Sequence, residues 1–432
     1  MHSFRYVQGR LHAESVDLGH LAEKHGTPLY VYSSATIRDH FTRLDGALDR
    51  LDHLICYAVK ANSNLAVLNV IASMGGGFDI VSGGELFRVV RAGGKASNCT
   101  FAGVGKTRSE IEYALREGIY CFNAESEAEL RFINEIAGEL GKRAPVAVRV
   151  NPNVDAKTHA KITTGKKENK FGIDFDRIAE VYATIAAECP HLEIKGLQMH
   201  IGSQLTSVEP FVEAVTKVVP LVRQMKEDHG LKFFSIGGGL GIVYKNSLDS
   251  GSADWWSREG NESHPLTIQA YADAVVPLLE PLGLRILFEP GRFMVGNAGA
   301  LVTKVLFEKK GSAKDFVIVD AGMNDLIRPT LYEGWHQVTP VEKPVSTETH
   351  KADVVGPICE TGDFLAQDRD LPPVKEGDYL AVLSSGAYGF SMASNYNSRP
   401  LAAEVLVDGK EAHLVRERQT LDDLIRGEHL PI

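Results

Sequence analysis

Eight short apolar runs fall between about residues 55 and 290: ICYAVKA (55–61), GFDIVS (77–82), CTFAG (99–103), YCFNAE (120–125), PVAVRVN (145–151), IKGLQMHIG (194–202), FFSIGGG (233–239) and RILFEPG (285–291). Each is too short for a confident helix and is apolar almost throughout, as strands buried on both faces of a parallel sheet are. The stretches between them carry helical patterns. GGELFRVVRAGG (83–94) and SEAELRFINEIAGELG (126–141) space their apolar residues three and four apart. The second opens on Ser126 with Glu129 three places on, which predicts a capping box. Eight strands alternating with helices predict an α/β chain built on a (β/α)8 TIM barrel. A doubly wound sheet is the alternative, but the chain has no GxGxxG: glycines 237, 238, 239 and 241 do not fit that spacing.

Beyond about residue 290 the texture changes. DFVIVDAG (315–322), DVVGPIC (353–359), DYLAVLSSGAYG (378–389) and AAEVLVDGKEAHLV (402–415) alternate more and are divided by Pro, Gly and Asp, which predicts a C-terminal antiparallel β-domain. FRYVQGRLHA, near the N-terminus, is strand-like and is assigned to the same domain. The expected division is a barrel over 30–285 and a β-domain of 1–29 plus 286–432.

The chain has 432 residues, enough for a barrel and a smaller domain, and a net charge of -10. That charge argues against a nucleic-acid partner, which needs clustered cations. Lys166-Lys167 is cut short by Glu168 and reads as a solvated loop. No apolar run approaches the roughly 18 residues of a membrane span, and MHSFRYVQGR lacks the apolar core of a signal peptide. The five cysteines, at 56, 99, 121, 189 and 359, form no CxxC and are odd in number. Free thiols in a reducing, cytoplasmic setting are expected, which makes the sequons at Asn98 and Asn261 incidental.

A barrel carries its chemistry at the C-terminal ends of its strands. The polar residues there are Lys60, Asp79, Asn123, Glu125, Asn151, His200, Gly237 to Gly239, Glu289 and Arg292. A lysine with a lowered pKa can form a Schiff base; Lys60 alone is equally a strand-end lysine reaching solvent. Glycines 237–241 let backbone N–H groups approach a phosphate, or simply make a tight turn. FAGVGKT (101–107) resembles half a P-loop, but Thr100 stands where a glycine is required, which rejects nucleotide binding there. Glu289 suits a pyridine nitrogen, whose protonation makes the ring an electron sink; a salt bridge to Arg292 is the plainer reading. His200 could stack on an aromatic cofactor or be a satisfied core histidine. Cys359 could donate a proton or be inert. Amine, histidine, glycine loop and carboxylate in barrel order are what a pyridoxal-phosphate site requires. No metal enters this reading.

YAVKAN, HIGSQ, GGGLGI, EPGR, CETGD and GAYGFSMASNYN, in this order from residue 57 to 397, resemble the motifs of the fold-type III pyridoxal-phosphate decarboxylases, whose alanine racemase-like fold is a barrel followed by a β-domain. NDLIRPTLYEGWH (324–336) resembles the diaminopimelate decarboxylase branch in particular. The resemblance implies pyridoxal 5'-phosphate, a homodimer with active sites at the interface, and the conversion of meso-2,6-diaminopimelate to L-lysine and CO2. It makes Lys60 the Schiff-base lysine and stacks His200 on the ring. It gives the phosphate to Ser203, Gly239, Gly291 and Tyr388, pairs Glu289 with the pyridine nitrogen, and adds Asp79, Gly238 and Arg292 to the cofactor set. Cys359, from the partner subunit, is the implied proton donor. Arg292, Arg328 and Tyr332 would hold the distal carboxylate, as a bidentate arginine suits. Glu360 would hold the distal ammonium and Tyr388 would touch substrate as well. Thr361 departs from the more usual CESGD by one methyl.

Three rivals stand beside this reading. One is a decarboxylase of ornithine, arginine or carboxynorspermidine on the same scaffold. The second is an amino-acid racemase, which Glu289 opposes because related racemases place an arginine there. The third is a catalytically dead binding protein, which Lys60 and Cys359 oppose by being present.

Overall fold

The computed structural model describes residues 2–154, 170–256, 266–346 and 348–431. Lys166, Lys167, Glu168 and Asn261 lie outside the described residues. The chain divides into two compact units, one of residues 38–242 and 263–294, the other of residues 1–37, 243–262 and 295–432. The later boundary thus falls at 294/295 rather than 285/286, because the run at 285–291 pairs into the barrel.

The first unit is a closed parallel barrel. Its strands are β1 (His53–Ala58), β2 (Gly77–Ile80), β3 (Cys99–Phe101), β4 (Cys121–Ala124), β5 (Ala144–Asn151), β6 (Leu192–Met199), β7 (Phe233–Ser235) and β8 (Arg285–Phe288). They pair in that order, and β8 returns to β1. All eight residues of β5 are buried, as expected of a strand covered on both faces. A short strand, Ile173–Asp174, pairs parallel with the C-terminal end of β5 at Val150 and Asn151.

Side chains alternate inward and outward along a barrel strand. Cys56, Cys121, Ala147, Phe233 and Leu287 pack together as the barrel's interior floor. Two residues further on, at the C-terminal ends, the same alternation brings Ala58, Asn123, Arg149, Ser235 and Glu289 inward, one level higher. Gly196 has no side chain for a related reason: a Cβ there would lie 2.5 Å from the Phe233 ring.

The helices follow the sequence patterns with one exception of detail. Ser82 caps Gly83–Arg91 by accepting from Glu85 N–H, and Ser126 caps Glu127–Glu139 by accepting from Glu129 N–H. The Glu129 side chain does not complete a capping box. It accepts instead from Glu125 N–H and from Lys106.

The second unit is mostly antiparallel. FRYVQGRLHA is two strands, Phe4–Val7 and Arg10–Ala13, which form a three-stranded sheet with Val16–Asp17. The main sheet is organised by Gly299–Lys309, an eleven-residue strand. Its first half pairs antiparallel with Leu29–Ser33 and Tyr379–Val382, its second half with Asp315–Val319. Two pairs are parallel, Asp315–Val319 with His350–Val355 and Leu29–Ser33 with Ala403–Asp408. Leu11, Leu29, Val31, Ala300, Val302, Ala381 and Val405 meet in its core. Among the described residues no helix is long and apolar enough to cross a membrane.

Candidate active site

In the barrel unit, Lys60 lies just past β1, in a 3₁₀ turn over Val59–Ala61 rather than in the strand itself. Its Nζ stands 3.4 Å from Asp79 Oδ2 at the end of β2. Asp79 is buried, and the loss of solvent pushes its carboxyl above the ordinary range while Lys60 pulls it back.

Glu289 follows β8. Ser235 Oγ on β7 donates to its Oε1 (2.6 Å), and Gln198 Nε2 on β6 donates to its Oε2 (3.0 Å). Burial, then the charge of Asp79, raises its pKa to about 7, against the pull of those two hydrogen bonds. The plainer reading of a Glu289–Arg292 salt bridge does not hold: Glu289 is held by Ser235 and Gln198, and Arg292 Nη2 donates to Ser203 Oγ (3.1 Å).

His200 accepts a hydrogen bond at Nδ1 from Gly238 N–H (3.2 Å). Its pKa is driven well down by loss of solvent and by the nearby charges of Arg149 and Lys60. The ring is therefore a neutral imidazole with its proton on Nε2.

The glycine loop is a backbone-to-backbone construction. Leu205 N–H donates to Gly239 O and Gly241 N–H to Leu205 O, each at 2.9 Å. A Cβ at Gly238 would collide with the Glu289 carbonyl, and Gly239 stands at φ +116° with Gly202 O 2.9 Å from where its Cβ would be. These positions admit only glycine, and they leave a side-chain-free cradle beside Ser203, Gly291 and Arg292.

Sequence reasoning missed Gln198, Ser235 and Arg149. All three are polar residues inside apolar runs, and at inward-facing positions such residues are the signal. Several buried polar atoms on this level have no protein partner among the described residues: Asp79 Oδ1, Gln198 Oε1 and both amide atoms of Asn123. Buried polar groups are nearly always satisfied, so this pattern fits a polar ligand above them.

In the second unit, Arg328 opens the short helix Arg328–Tyr332 and is buried. Its Nη1 lies 2.7 Å from His336 Nε2, and its guanidinium lies over the Tyr244 ring at 4.6 Å. His336 Nδ1 is 2.9 Å from Leu383 O. A carbonyl can only accept, so Nδ1 carries the proton and Nε2 is left to accept from Arg328. His336 and Tyr244 are a clamp on the arginine that spacing alone did not reveal.

Thr330 Oγ1, in the same helix, donates to Gly362 O (2.5 Å) and ties the Tyr332-bearing turn to the CETGD loop. Asp363 fastens that loop by accepting from Met323 N–H and Ile358 N–H, both at 2.6 Å. Cys359 and Glu360 stand exposed on it. Cys359 N–H donates to Asn397 Oδ1 (2.8 Å), and Tyr396 OH donates to Glu360 Oε2 (2.9 Å). Both partners come from the GAYGFSMASNYN segment, as does Tyr388, at φ +56°.

The family profile described as "Pyridoxal-dependent decarboxylase, pyridoxal binding domain" matches residues 34–296. The chain belongs to this family. It is 51% identical over 427 residues to the diaminopimelate decarboxylase of Vibrio cholerae, covering 98% of both chains. It is 48% identical to that of Aquifex aeolicus, covering 97% of this chain and 96% of that one. Among solved structures, the diaminopimelate decarboxylase of Helicobacter pylori complexed with L-lysine superposes with a TM-score of 0.87 at 41% identity, covering 95% of this chain and 98% of that one. That of M. jannaschii gives 0.90 at 38%, covering 99% and 98%. As a member of the pyridoxal-dependent decarboxylases the chain uses pyridoxal 5'-phosphate, and the glycine cradle, Glu289 and the unsatisfied inward atoms fit that group.

Proposed function

We propose that this enzyme removes the carboxylate at the D-configured end of meso-2,6-diaminopimelate, giving L-lysine and CO2. The observation that carries the substrate is the clamped arginine. Arg328 is buried and fixed by His336 and Tyr244. A fixed guanidinium suits a carboxylate and Glu360 an ammonium, the two groups of a second amino-acid head. Ornithine and arginine have no carboxylate there.

When bound, the cofactor supplies an electron sink for the pair left by the departing carboxylate. Lys60 would supply the amine that holds it, with Asp79 Oδ2 3.4 Å from its Nζ. Ser203, Gly238, Gly239, Gly291, Arg292 and Tyr388 hold the phosphate region. Glu289 would pair with the ring nitrogen and favour its protonated form, and His200 would lie against the ring as a neutral imidazole. Arg292, Arg328 and Tyr332 grip the distal carboxylate. Cys359 delivers a proton to the carbon that has lost CO2.

Cys359 acts from a second copy of the chain. Its exposure, with that of Glu360, supports a homodimer in which each copy completes the other's site. Five free thiols support a cytoplasmic location.

The test is an absorbance titration with pyridoxal phosphate followed by an assay for lysine from meso-diaminopimelate. A borohydride-sensitive cofactor band with lysine formed is expected. A band with turnover only of ornithine, arginine or carboxynorspermidine would overturn the substrate. No band would overturn the enzyme.

A further inference from the structure

The FAGVGKT segment binds no phosphate in the reading above, yet its lysine is one of the most deeply buried charges in the barrel unit. The Lys106 side chain is 1% exposed. Its Nζ donates to Gly103 O (2.7 Å), Asn123 O (2.9 Å) and Glu129 Oε1 (2.5 Å), which uses all three of its protons.

From there the contacts run inward. Glu129 Oε2 accepts from Glu125 N–H (2.8 Å). Glu125, just past β4, spends both carboxylate oxygens. Oε1 accepts from Gly103 N–H (3.0 Å) and Arg149 Nη1 (3.1 Å), and Oε2 accepts from Gly172 N–H (3.1 Å). The approach of Gly172 requires glycine: φ is +73°, and a Cβ would sit 3.1 Å from both Arg149 O and Asn151 N. The chain of charges is Lys106, Glu129, Glu125, Arg149.

Stability does not account for this arrangement. Each buried ion loses several kcal/mol of hydration, and apolar replacements of buried ion pairs are often neutral or better. What distinguishes the chain is where it ends. Arg149 stands on the inward level of β5, where its charge acts on both Asp79 and His200. Lys106, Glu129 and Glu125 reach it from outside that level.

We propose that Glu125, braced by Lys106 and Glu129, is a positioning residue that aims the Arg149 guanidinium into the cofactor level, so that cofactor affinity depends on a carboxylate touching neither cofactor nor substrate. The proposal rests on the cofactor lying over the inward polar level. Glutamine at 125 keeps the shape but removes the anion, and the guanidinium, which stays charged, loses its charge-assisted partner and keeps the Phe171 ring, 4.8 Å away, as its other contact.

The experiment is an equilibrium titration of the full-length apoenzyme with pyridoxal phosphate, reading affinity and the absorbance maximum of the bound cofactor, beside the melting temperature of the apoenzyme. Uptake by the unaltered chain is read first, which separates failure of the cofactor reading from failure of this one. Glu125→Gln should weaken binding roughly ten- to hundredfold, the loss of one hydrogen bond between charged groups, and should shift the absorbance maximum. Lys106→Met should do the same to a smaller degree. Glu110→Gln removes a carboxylate that likewise accepts from two backbone N–H groups, of Gly83 and Thr107, away from Arg149; it should lower the melting temperature and leave affinity unmoved. Arg149→Met should match Glu125→Gln, and the double variant should be no worse than either alone. A Glu125→Gln protein that melts lower but binds within twofold of the unaltered chain overturns the proposal, and so do additive losses in the double variant.

Discussion

Ser235 Oγ reaches across from β7 to donate a 2.6 Å hydrogen bond to Glu289 Oε1. The serine is the nearest restraint on a carboxylate that burial and Asp79 both push toward protonation. Removing the hydroxyl leaves those two pressures opposed only by Gln198 and Lys60. In Ser235→Ala the Glu289 pKa should rise further, by about one unit for a hydrogen bond to a charged acceptor. On the proposed pairing of Glu289 with the ring nitrogen, cofactor uptake needs the carboxylate, so its acid limb should move to higher pH by that amount. A titration of uptake against pH checks it, and an unmoved limb would show that Ser235 does not hold Glu289.

The same carboxylate makes a stability prediction with a definite sign. The Glu289 pKa is raised in the folded chain to about 7 from its ordinary 4.5, so between those values the folded state holds a proton that the unfolded state has released. Stability from this group therefore falls as pH rises through that window. Glu289→Gln removes the penalty. The variant apoenzyme should equal the unaltered one near pH 4.5 and exceed it at pH 8 by up to about 3 kcal/mol. Denaturant midpoints at the two pH values measure this. A variant less stable at pH 8 than at 4.5 relative to the parent contradicts it.

Arg328 and His336 should separate binding from chemistry. Arg328→Ala removes the proposed grip on the distal carboxylate, and KM for diaminopimelate should rise about a hundredfold or more, with kcat much less changed. His336→Ala leaves the arginine over Tyr244 but without its hydrogen bond to the imidazole, and KM should rise about tenfold. Equal falls in kcat and kcat/KM for either variant would place the residue in the chemical step instead.

Lys60→Ala should form no borohydride-sensitive linkage and no lysine. Cys359→Ala should keep the linkage and lose roughly two to four orders of magnitude in kcat, the usual worth of a placed proton donor. If the cysteine serves the other copy's site, refolding the two inactive variants together should restore about a quarter of normal activity, because half the dimers then carry one intact site. No restoration would falsify donation across the interface.

The barrel was legible because strands covered on both faces read as apolar runs, and each of the eight such runs overlaps a barrel strand. The β-domain was less so. Gly299–Lys309, which organises its sheet, alternates too little to stand out, since three strands cover it along its length. Lys60, Glu289 and His200 were visible as polar residues at strand ends. Gln198 and Ser235 were not. Their meeting depends on the stagger of β6, β7 and β8, where Gln198 pairs with Ser235 and Ser235 with Leu287, and no spacing within one run encodes that. Lys106 was legible as a lysine after glycines and misleading for that reason, because two of its three partners lie 17 and 23 residues downstream.

The two inward levels of the barrel are separated by two residues on each of several strands. Cys56, Cys121, Ala147, Phe233 and Leu287 form the lower, and Ala58, Asn123, Arg149, Ser235 and Glu289 the upper. No stretch of sequence owns the chemistry, and none owns the packing. A drifting lineage can therefore exchange one upper position at a time, trying a new reaction while the floor beneath keeps the protein folded. A designer who wants the same freedom can treat the two levels as separate alphabets.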